Sequence, residues 1–270
     1  MADPDFRADL FRGTALSYDA YRPTYPRDLI DDLAARSGAD GTGRLLDLAC
    51  GTGHVAFALR DRFAEVWAVD QEPDMIELAS LKAAATGHGP PLLLRTCAAE
   101  ELAAPEQSFD LVTIGNAFHR LRRQQVADRV LRWLRPGGYL ALLWGGSPVE
   151  GGAPWQQTLQ ATMQSWHDRN GVAHQLPPGY QAAREATPDL SILRAAGFEV
   201  IGRFEFAYTH EWTLAEIAGY LASTSVWSAA SLGAAAPQFD ADLRRELGGY
   251  RADGRFRQDA TFAYDLARRP

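Results

Sequence analysis

The sequence predicts an α/β fold: a doubly wound, mostly parallel sheet, interrupted late by an inserted, mainly helical cap. Three observations predict it. Five apolar runs, near residues 44–48, 66–69, 92–94, 111–114 and 139–144, are joined by segments whose apolar residues recur at helical spacing. The runs are continuously apolar instead of alternating, as expected of strands covered on both faces. Asp47, Asp70, Glu100 and Asn116 stand at or just past the carboxyl ends of four runs, where such sheets hold ligands.

A helix is expected over Asp9–Tyr18, followed by chain rich in Tyr, Arg and Pro. Pro26 opens a helix to about Arg36, with Leu29, Ile30, Leu33 and Ala34 on one face and Ser37-Gly38 ending it. The first strand is Arg44–Leu48, and the helix after it carries Val55, Ala56, Leu59 and Phe63. Val66–Val69 is the second strand; Pro73 then starts a helix to about Ala85, with Glu72 and Asp74 near its positive end. The loop 87–91 precedes a third strand, Leu92–Leu94. Leu111–Ile114 is the fourth strand, Arg123–Leu134 a helix and Tyr139–Trp144 the fifth strand.

That rhythm then stops. Residues 145–152 read as a linker, and Trp155, Leu159, Thr162 or Met163 and Trp166 share one face of an amphipathic helix. Pro177-Pro178-Gly179-Tyr180 breaks the chain again. A helix at Asp189–Ala196, a strand from Phe198 to Ala207, a helix from Thr213 to Leu221 and a strand at Thr261–Ala267 complete the chain. The expected organisation is a lid and ligand-binding core over 1–145, an inserted cap over 146–187, and the rest of the sheet with substrate-facing helices over 188–270.

The chemistry concentrates in Arg44-Leu45-Leu46-Asp47-Leu48-Ala49-Cys50-Gly51-Thr52-Gly53-His54. A strand, an acid at its end and a glycine-rich turn let backbone approach a nucleotide-like ligand closely. Asp70, ending the next strand, is placed to accept hydrogen bonds from ribose hydroxyls. Gly51-x-Gly53-x-x-Ala56 also satisfies the relaxed dinucleotide fingerprint, so NAD is a competing reading. Asp47 weighs against it, because a carboxylate repels a pyrophosphate by several kcal/mol at roughly 4 Å and intermediate dielectric. The ammonium and sulfonium of S-adenosylmethionine are attracted instead. A strand-end acid that merely caps the following helix is the bland alternative for Asp47.

These residues resemble the class I S-adenosylmethionine-dependent methyltransferases. Leu45–Gly53 is similar to their first motif, with Ala49 in place of the first glycine, and Asp70 to their ribose-binding acid. Gln71-Glu72-Pro73-Asp74-Met75 resembles the turn whose apolar residue, here Met75, packs on the adenine. Ala98-Ala99-Glu100 stands where the family contacts the adenine edge. Residues 109–119 and 134–140 resemble the fourth-strand motif and the turn before the fifth strand. Tyr18-Asp19-Ala20-Tyr21-Arg22-Pro23-Thr24-Tyr25-Pro26 looks like the small-molecule branch. The resemblance covers about residues 10–145. It implies a seven-stranded sheet whose last strand is antiparallel, S-adenosylmethionine as cofactor, and cofactor contacts from Tyr18, Arg22, Asp47, Ala49, Gly51, Gly53, Asp70, Gln71, Met75, Ala99, Glu100 and Asn116.

The formal net charge of −7 and pI of about 5.4 disfavour a nucleic-acid substrate, which usually meets a basic face. Gly115-Asn116-Ala117-Phe118 also lacks the Asn/Asp-Pro-Pro-Tyr/Phe signature of enzymes that methylate base amino groups. No apolar run reaches the ~18–20 residues that span a bilayer, and no basic-then-apolar leader is visible, so a cytoplasmic location is the default expectation. The two cysteines, Cys50 and Cys97, offer neither a disulfide framework nor a metal pair, and no metal is expected. Lys82 is the sole lysine, which leaves no Walker motif and no Schiff-base candidate.

His119, just past the fourth strand, is the candidate general base, with packing against cofactor or cap as its alternative. In the family a tryptophan often follows this histidine; Arg120 stands here. Trp155, Trp166, His210, Ser225 and Trp227 are candidates to face the acceptor, because late aromatics with a few hydroxyls suggest an apolar pocket with polar anchors. The expected activity is methyl transfer to a small organic acceptor, a secondary metabolite or its precursor, by a monomer or homodimer. The alternatives are a non-methylating cyclisation or rearrangement that uses the same cofactor, an NAD-dependent oxidoreductase, and a cofactor-sensing binding module.

Overall fold

The computed structural model describes residues 9–87, 89–170, 180–250 and 254–270. Seven strands form one sheet in the order β3-β2-β1-β4-β5-β7-β6. They are β1 (Arg44–Leu48), β2 (Glu65–Asp70), β3 (Leu92–Thr96), β4 (Phe109–Gly115), β5 (Leu134–Trp144), β6 (Glu199–Thr213) and β7 (Arg255–Arg268). β1 to β5 are parallel, whereas β7 runs antiparallel to both β5 and β6. Chain order reverses between β1 and β4, so the crevice outside their carboxyl ends is open to a ligand.

The helices are α1 (Ala15–Tyr21), α2 (Arg27–Arg36), α3 (His54–Leu59), α4 (Pro73–Thr86), α5 (Arg123–Trp133), α6 (Pro154–Asn170), α7 (Tyr180–Ala186), α8 (Asp189–Ala195), α9 (Leu214–Ala222), α10 (Ala229–Leu232) and α11 (Ala236–Gly248). Fully buried Leu46, Leu48, Val112, Leu140 and Leu142 pack on α5 and α8 on one face of the sheet. Leu45, Ala68, Leu111 and Leu143 pack against α2 and α3 on the other. The near-continuous apolar runs follow from this two-sided cover.

Five elements differ from expectation. The helix expected over Asp9–Tyr18 is a turn followed by the short α1. Gly13 takes φ +75°, and the Phe11 and Gly13 N–H groups donate to Glu72 and Asp74 instead of to helical carbonyls. α5 stops at Trp133 because Leu134 already pairs with Phe109; a bulge then carries the chain to Tyr139, which pairs with Leu111. β6 and β7 run far beyond the expected 198–207 and 261–267. Past Ala207 and Thr261 they pair only with each other, as a hairpin arm that outreaches β5. α11 carries no motif in the sequence and is seen only in the fold.

The cap also departs from the expected 146–187. Trp155, Leu159 and Trp166 of α6 share one buried cluster with Trp212, Ile217, Tyr220, Trp227, Phe239, Leu243, Leu247 and Phe256. Two separated stretches, α6 and α9–α11, therefore make one helical layer, held on the arm by Trp212 and Phe256. α8 instead joins the sheet layer through Ile192 and Leu193. The expected break at Pro177-Pro178-Gly179 lies outside the described residues.

α1 docks on α9 at Gly219. A methyl carbon at Gly219 would lie 2.3 Å from the Tyr21 ring. Gly219→Ala is expected to destabilise the fold by about 1–3 kcal/mol through overpacking. A thermal melt falling by roughly 2–10 °C would agree; an unchanged melt would show that α1 does not dock there.

Candidate functional site

The turn after β1 is built by unusual backbone. Ala49, Gly51 and Gly53 all have positive φ, at 52°, 55° and 85°. Ala49 thus sits where L-residues are disfavoured by about 1–2 kcal/mol, a strain that persists only where the surroundings over-determine it. Those surroundings are two carboxylates. Asp47, 1 % exposed, accepts from the Thr113 hydroxyl at 2.7 Å and from the Ala56 N–H at 3.1 Å. It therefore ties β1 to β4 and to the first turn of α3. Burial raises its carboxyl to about 7. Asp70 accepts from the Gly51 N–H at 2.7 Å and the Glu72 N–H at 2.9 Å, and burial raises its carboxyl too.

A cavity of ≈ 330 Å³ lies over this turn. Tyr18, Ala49, Gly51, Asp70, Gln71, Met75, Ala99, Glu100 and Asn116, nine of the residues expected at the cofactor, all line it. Gly53 lines none of the cavities; a Cβ there would lie 2.8 Å from Phe57, so it serves the turn. Asp47 and Arg22 also stand outside the main cavity, lining a narrow cleft beside it with Tyr25 and His54. The attraction expected of Asp47 is thus joined, and largely absorbed, by its capping of α3.

The N-terminal segment roofs the cavity. The Tyr18 ring lies 3.2 Å from where a Gly51 side chain would begin. Lys82, which no sequence motif singles out, donates to Asp19 at 2.5 Å and to the Thr52 carbonyl at 3.0 Å, fastening α1 to the glycine turn. Burial opposes it, yet the hydrogen bond and charge of Lys82 hold Asp19 below its ordinary range. Arg22 lies over the Tyr18 and Tyr220 rings, at 4.9 and 4.4 Å, and donates to the Ser223 hydroxyl at 2.8 Å and the Tyr220 hydroxyl at 3.1 Å. A cation with only hydroxyl and carbonyl partners among the described residues suits an incoming carboxylate.

A second chamber of ≈ 310 Å³ adjoins the first, and Phe11, Tyr18, Asn116 and Arg120 line both. Ser225, Trp227 and His119 line it, with Met163, Thr224 and Glu150. The Ser225 Oγ is buried and has no hydrogen-bond partner among the described residues. Burial, with Arg120, Arg184 and Arg123 nearby, lowers His119 to about 3. A ring that binds its proton so weakly is a poor general base at neutral pH, which counts against that expectation. Asn116, at φ 51°, spends its amide on both the N–H and the C=O of Gly145, at 3.1 and 3.0 Å. It stitches the tips of β4 and β5 and borders both chambers.

Three expected acceptor contacts lie elsewhere. Trp155 donates to the Arg257 carbonyl and Trp166 to Asp242, both at 3.0 Å, inside the cap core. His210 stacks on Tyr208 along the hairpin arm and lines neither of the two chambers nor the narrow cleft. Helical spacing marks a buried stripe but does not say whether it faces a pocket or a core. Met163, on the expected α6 stripe, and Tyr220, one of the late aromatics, also line the chamber but are not among the expected acceptor residues, because nothing local distinguishes them from core residues.

The residues fit S-adenosylmethionine. Side-chain-free turn residues leave the strand tips open, and Asp70, Glu72, Glu100 and Glu101 line the cleft. Such acids favour a sulfonium and repel a diphosphate. Among the described residues, no group of three His, Cys, Asp or Glu is placed to hold a metal ion, and no helix is long and apolar enough to cross a membrane.

Residues 46–142 match the family described as a methyltransferase domain. The demethylmenaquinone methyltransferase of Thermus thermophilus is 33 % identical over 168 residues, covering 58 % of this chain and 74 % of that one. An uncharacterized methyltransferase of Mycobacterium tuberculosis is 35 % identical over 128 residues, covering 47 % and 49 %. The chain thus spans about half the length of the first curated relatives it matches. The [4+2]-cyclase SpnF shares the fold, with a TM-score of 0.53 at 20 % identity over 93 % of this chain and 84 % of that one.

Asp70→Ala removes the acceptor that fixes the turn and faces the cleft. Titration calorimetry with S-adenosylhomocysteine is expected to show at least about tenfold weaker binding; equal affinity would remove Asp70 from the site. Asp47 makes a separate prediction. Its carboxyl binds a proton more tightly folded than unfolded, so its contribution is full below about pH 4 and lost as pH rises toward 7. Asp47→Asn is expected to flatten that fall, worth roughly 2 kcal/mol between pH 5 and pH 7, in urea melts at those two pH values. An unchanged slope would show that another group causes it.

Proposed function

The chain belongs to the class I S-adenosylmethionine-dependent methyltransferases, and we propose that it methylates a small organic molecule seated in the chamber beside the cofactor cleft. One observation carries this reading: Tyr18 and Asn116 line both cavities, which puts an acceptor in the second chamber next to the cofactor cleft. S-adenosylmethionine supplies an electrophilic methyl group on a sulfonium. The protein's part is then positioning and water exclusion, which for a preactivated donor account for most of the rate.

In this reading Asp70 accepts the ribose hydroxyls, and Gln71 lies beside them. Met75 packs on the adenine face, with Ala99 and Glu100 at its edge. Ala49 and Gly51 admit the methionine end, with Gly53 shaping the turn behind them; Arg22 takes its carboxylate, and Asp47 faces its ammonium while holding α3. Tyr18 closes the roof. Ser225 offers its unspent hydroxyl to a polar group of the acceptor, and Trp227 presents an apolar wall. His119, neutral at pH 7, orients the acceptor by hydrogen bonding and takes up a proton only from a strongly acidic one.

The charge of −7 and the chamber's size favour a metabolite over nucleic acid, and a secondary metabolite or its precursor is the proposed class, handled in the cytoplasm. SpnF, named as a cyclase on this fold, supports a second reading in which the sulfonium acts only as a fixed charge. Product mass separates the two. With trideuteromethyl-labelled cofactor, methyl transfer predicts about 17 daltons gained by the acceptor and demethylated cofactor formed in equal amount. Product of unchanged mass would favour cyclisation or rearrangement. In the same assay, Ser225→Ala is expected to raise the acceptor KM about tenfold at unchanged cofactor affinity; an unchanged KM would remove Ser225 from the chamber's recognition.

A further inference from the structure

The sheet ends in β6, whose far side has no strand partner among the described residues. After the bulge between Val200 and Gly202, the edge from 202 to 212 pairs with β7 in unbroken register. It contains no proline and no lysine. Edge strands ordinarily carry such devices to prevent pairing with other chains. Here the protection rests on charge alone, and the charges are of both signs.

Their order matters. Arg203, Glu205, Ala207, Thr209 and Glu211 form the exposed face of the strand, while Phe204, Phe206, Tyr208 and His210 form a half-buried aromatic face. Two copies of β6 can pair antiparallel about a two-fold axis only in registers that set i opposite a fixed partner. Centring on Glu205 opposes two glutamates, and centring on Tyr208 sets Glu205 against Glu211. Centring on Phe206 leaves Arg203 against Thr209, and centring on Phe204 runs into the bulge within two residues. Centring on Ala207 meets none of these obstacles. It sets Arg203 opposite Glu211 twice, Glu205 opposite Thr209, Ala207 opposite itself, and Phe206 opposite Tyr208. Opposite-charge and aromatic cross-strand pairs are the stabilising units of a sheet.

We propose that two copies of this chain join edge to edge through β6, in the register centred on Ala207, so that Arg203 of each copy faces Glu211 of the other. The two sheets become one, and the hairpin arms that carry Trp212 and Phe256 into the caps are braced against each other.

Sedimentation velocity on the full chain at roughly 1–100 μM tests this. The expected mass is twice 29.6 kDa. Arg203→Glu or Glu211→Arg alone opposes like charges and is expected to raise the dimer dissociation constant at least about tenfold. The double reversal restores opposite charges and is expected to recover the dimer. Arg203 also forms an ion pair with Asp265 of its own chain at 3.1 Å, which the Arg203→Glu and double variants remove equally. Recovery by the double variant therefore reports the interface and not the fold. A wild-type chain that stays monomeric at the highest concentration overturns the proposal, leaving the edge to solvent or to a different protein. So does a dimer that both single reversals leave intact, or a double reversal that fails to recover it.

Discussion

The buried carboxyl at the tip of β1 is the interaction on which the rest of this site depends. Asp47 has no solvent to stabilise its charge, so it is held by two donors that belong to different elements: the Thr113 hydroxyl on β4 and the Ala56 N–H at the start of α3. Losing either donor would leave a buried acceptor unsatisfied, which costs more than an ordinary hydrogen bond returns. β1, β4 and α3 are therefore fixed relative to one another at the point where chain order in the sheet reverses. Asp70 does the same on the other flank, fastening Gly51 from the tip of β2. Between these clamps, Ala49 can stay in a backbone region that an unconstrained alanine avoids.

Beyond the packing of Tyr21 on Gly219, the segment above the cleft is tied to this frame by charge and hydrogen bonds. The turn at 11–13 hangs on Glu72 and Asp74, and α1 on the pair between Asp19 and Lys82. Arg22 then continues the roof to α9 through Ser223 and Tyr220. Interactions of this kind are individually modest and more easily opened than a packed core. The roof of the cleft is thus held by weaker bonds than its floor, as a site that must take in and release a nucleoside requires.

The cap has a different physics. Its layer is apolar, and its two contributing stretches are separated in the chain by α7, α8 and β6. Neither α6 nor α11 could bury its aromatic stripe alone. Trp166 and Trp227 both pack against Phe239, and the arm of β6 and β7 supplies Trp212 and Phe256 from below. The second chamber lies where this layer meets the tips of β4 and β5. Its shape accordingly depends on residues from both ends of the chain.

Local pattern determined the sheet. Continuous apolar runs, proline at helix starts and acids at strand ends are properties of short segments. The five parallel strands and the glycine turn were legible in Arg44–Trp144, and nine of the expected cofactor-side residues, from Tyr18 to Asn116, line one cavity. Only the tertiary structure decided what lies far apart in sequence. It showed that Asp47 caps a helix as well as bordering the cleft, that Lys82 locks the roof, and that Asn116 spends its amide on Gly145. It also showed that Trp155 and Trp166 belong to a core while Ser225 and Trp227 border a chamber. The physical reason is that burial and hydrogen-bond partnership are relations between segments. Periodicity reports that a side chain will be hidden, and long-range packing alone decides behind what.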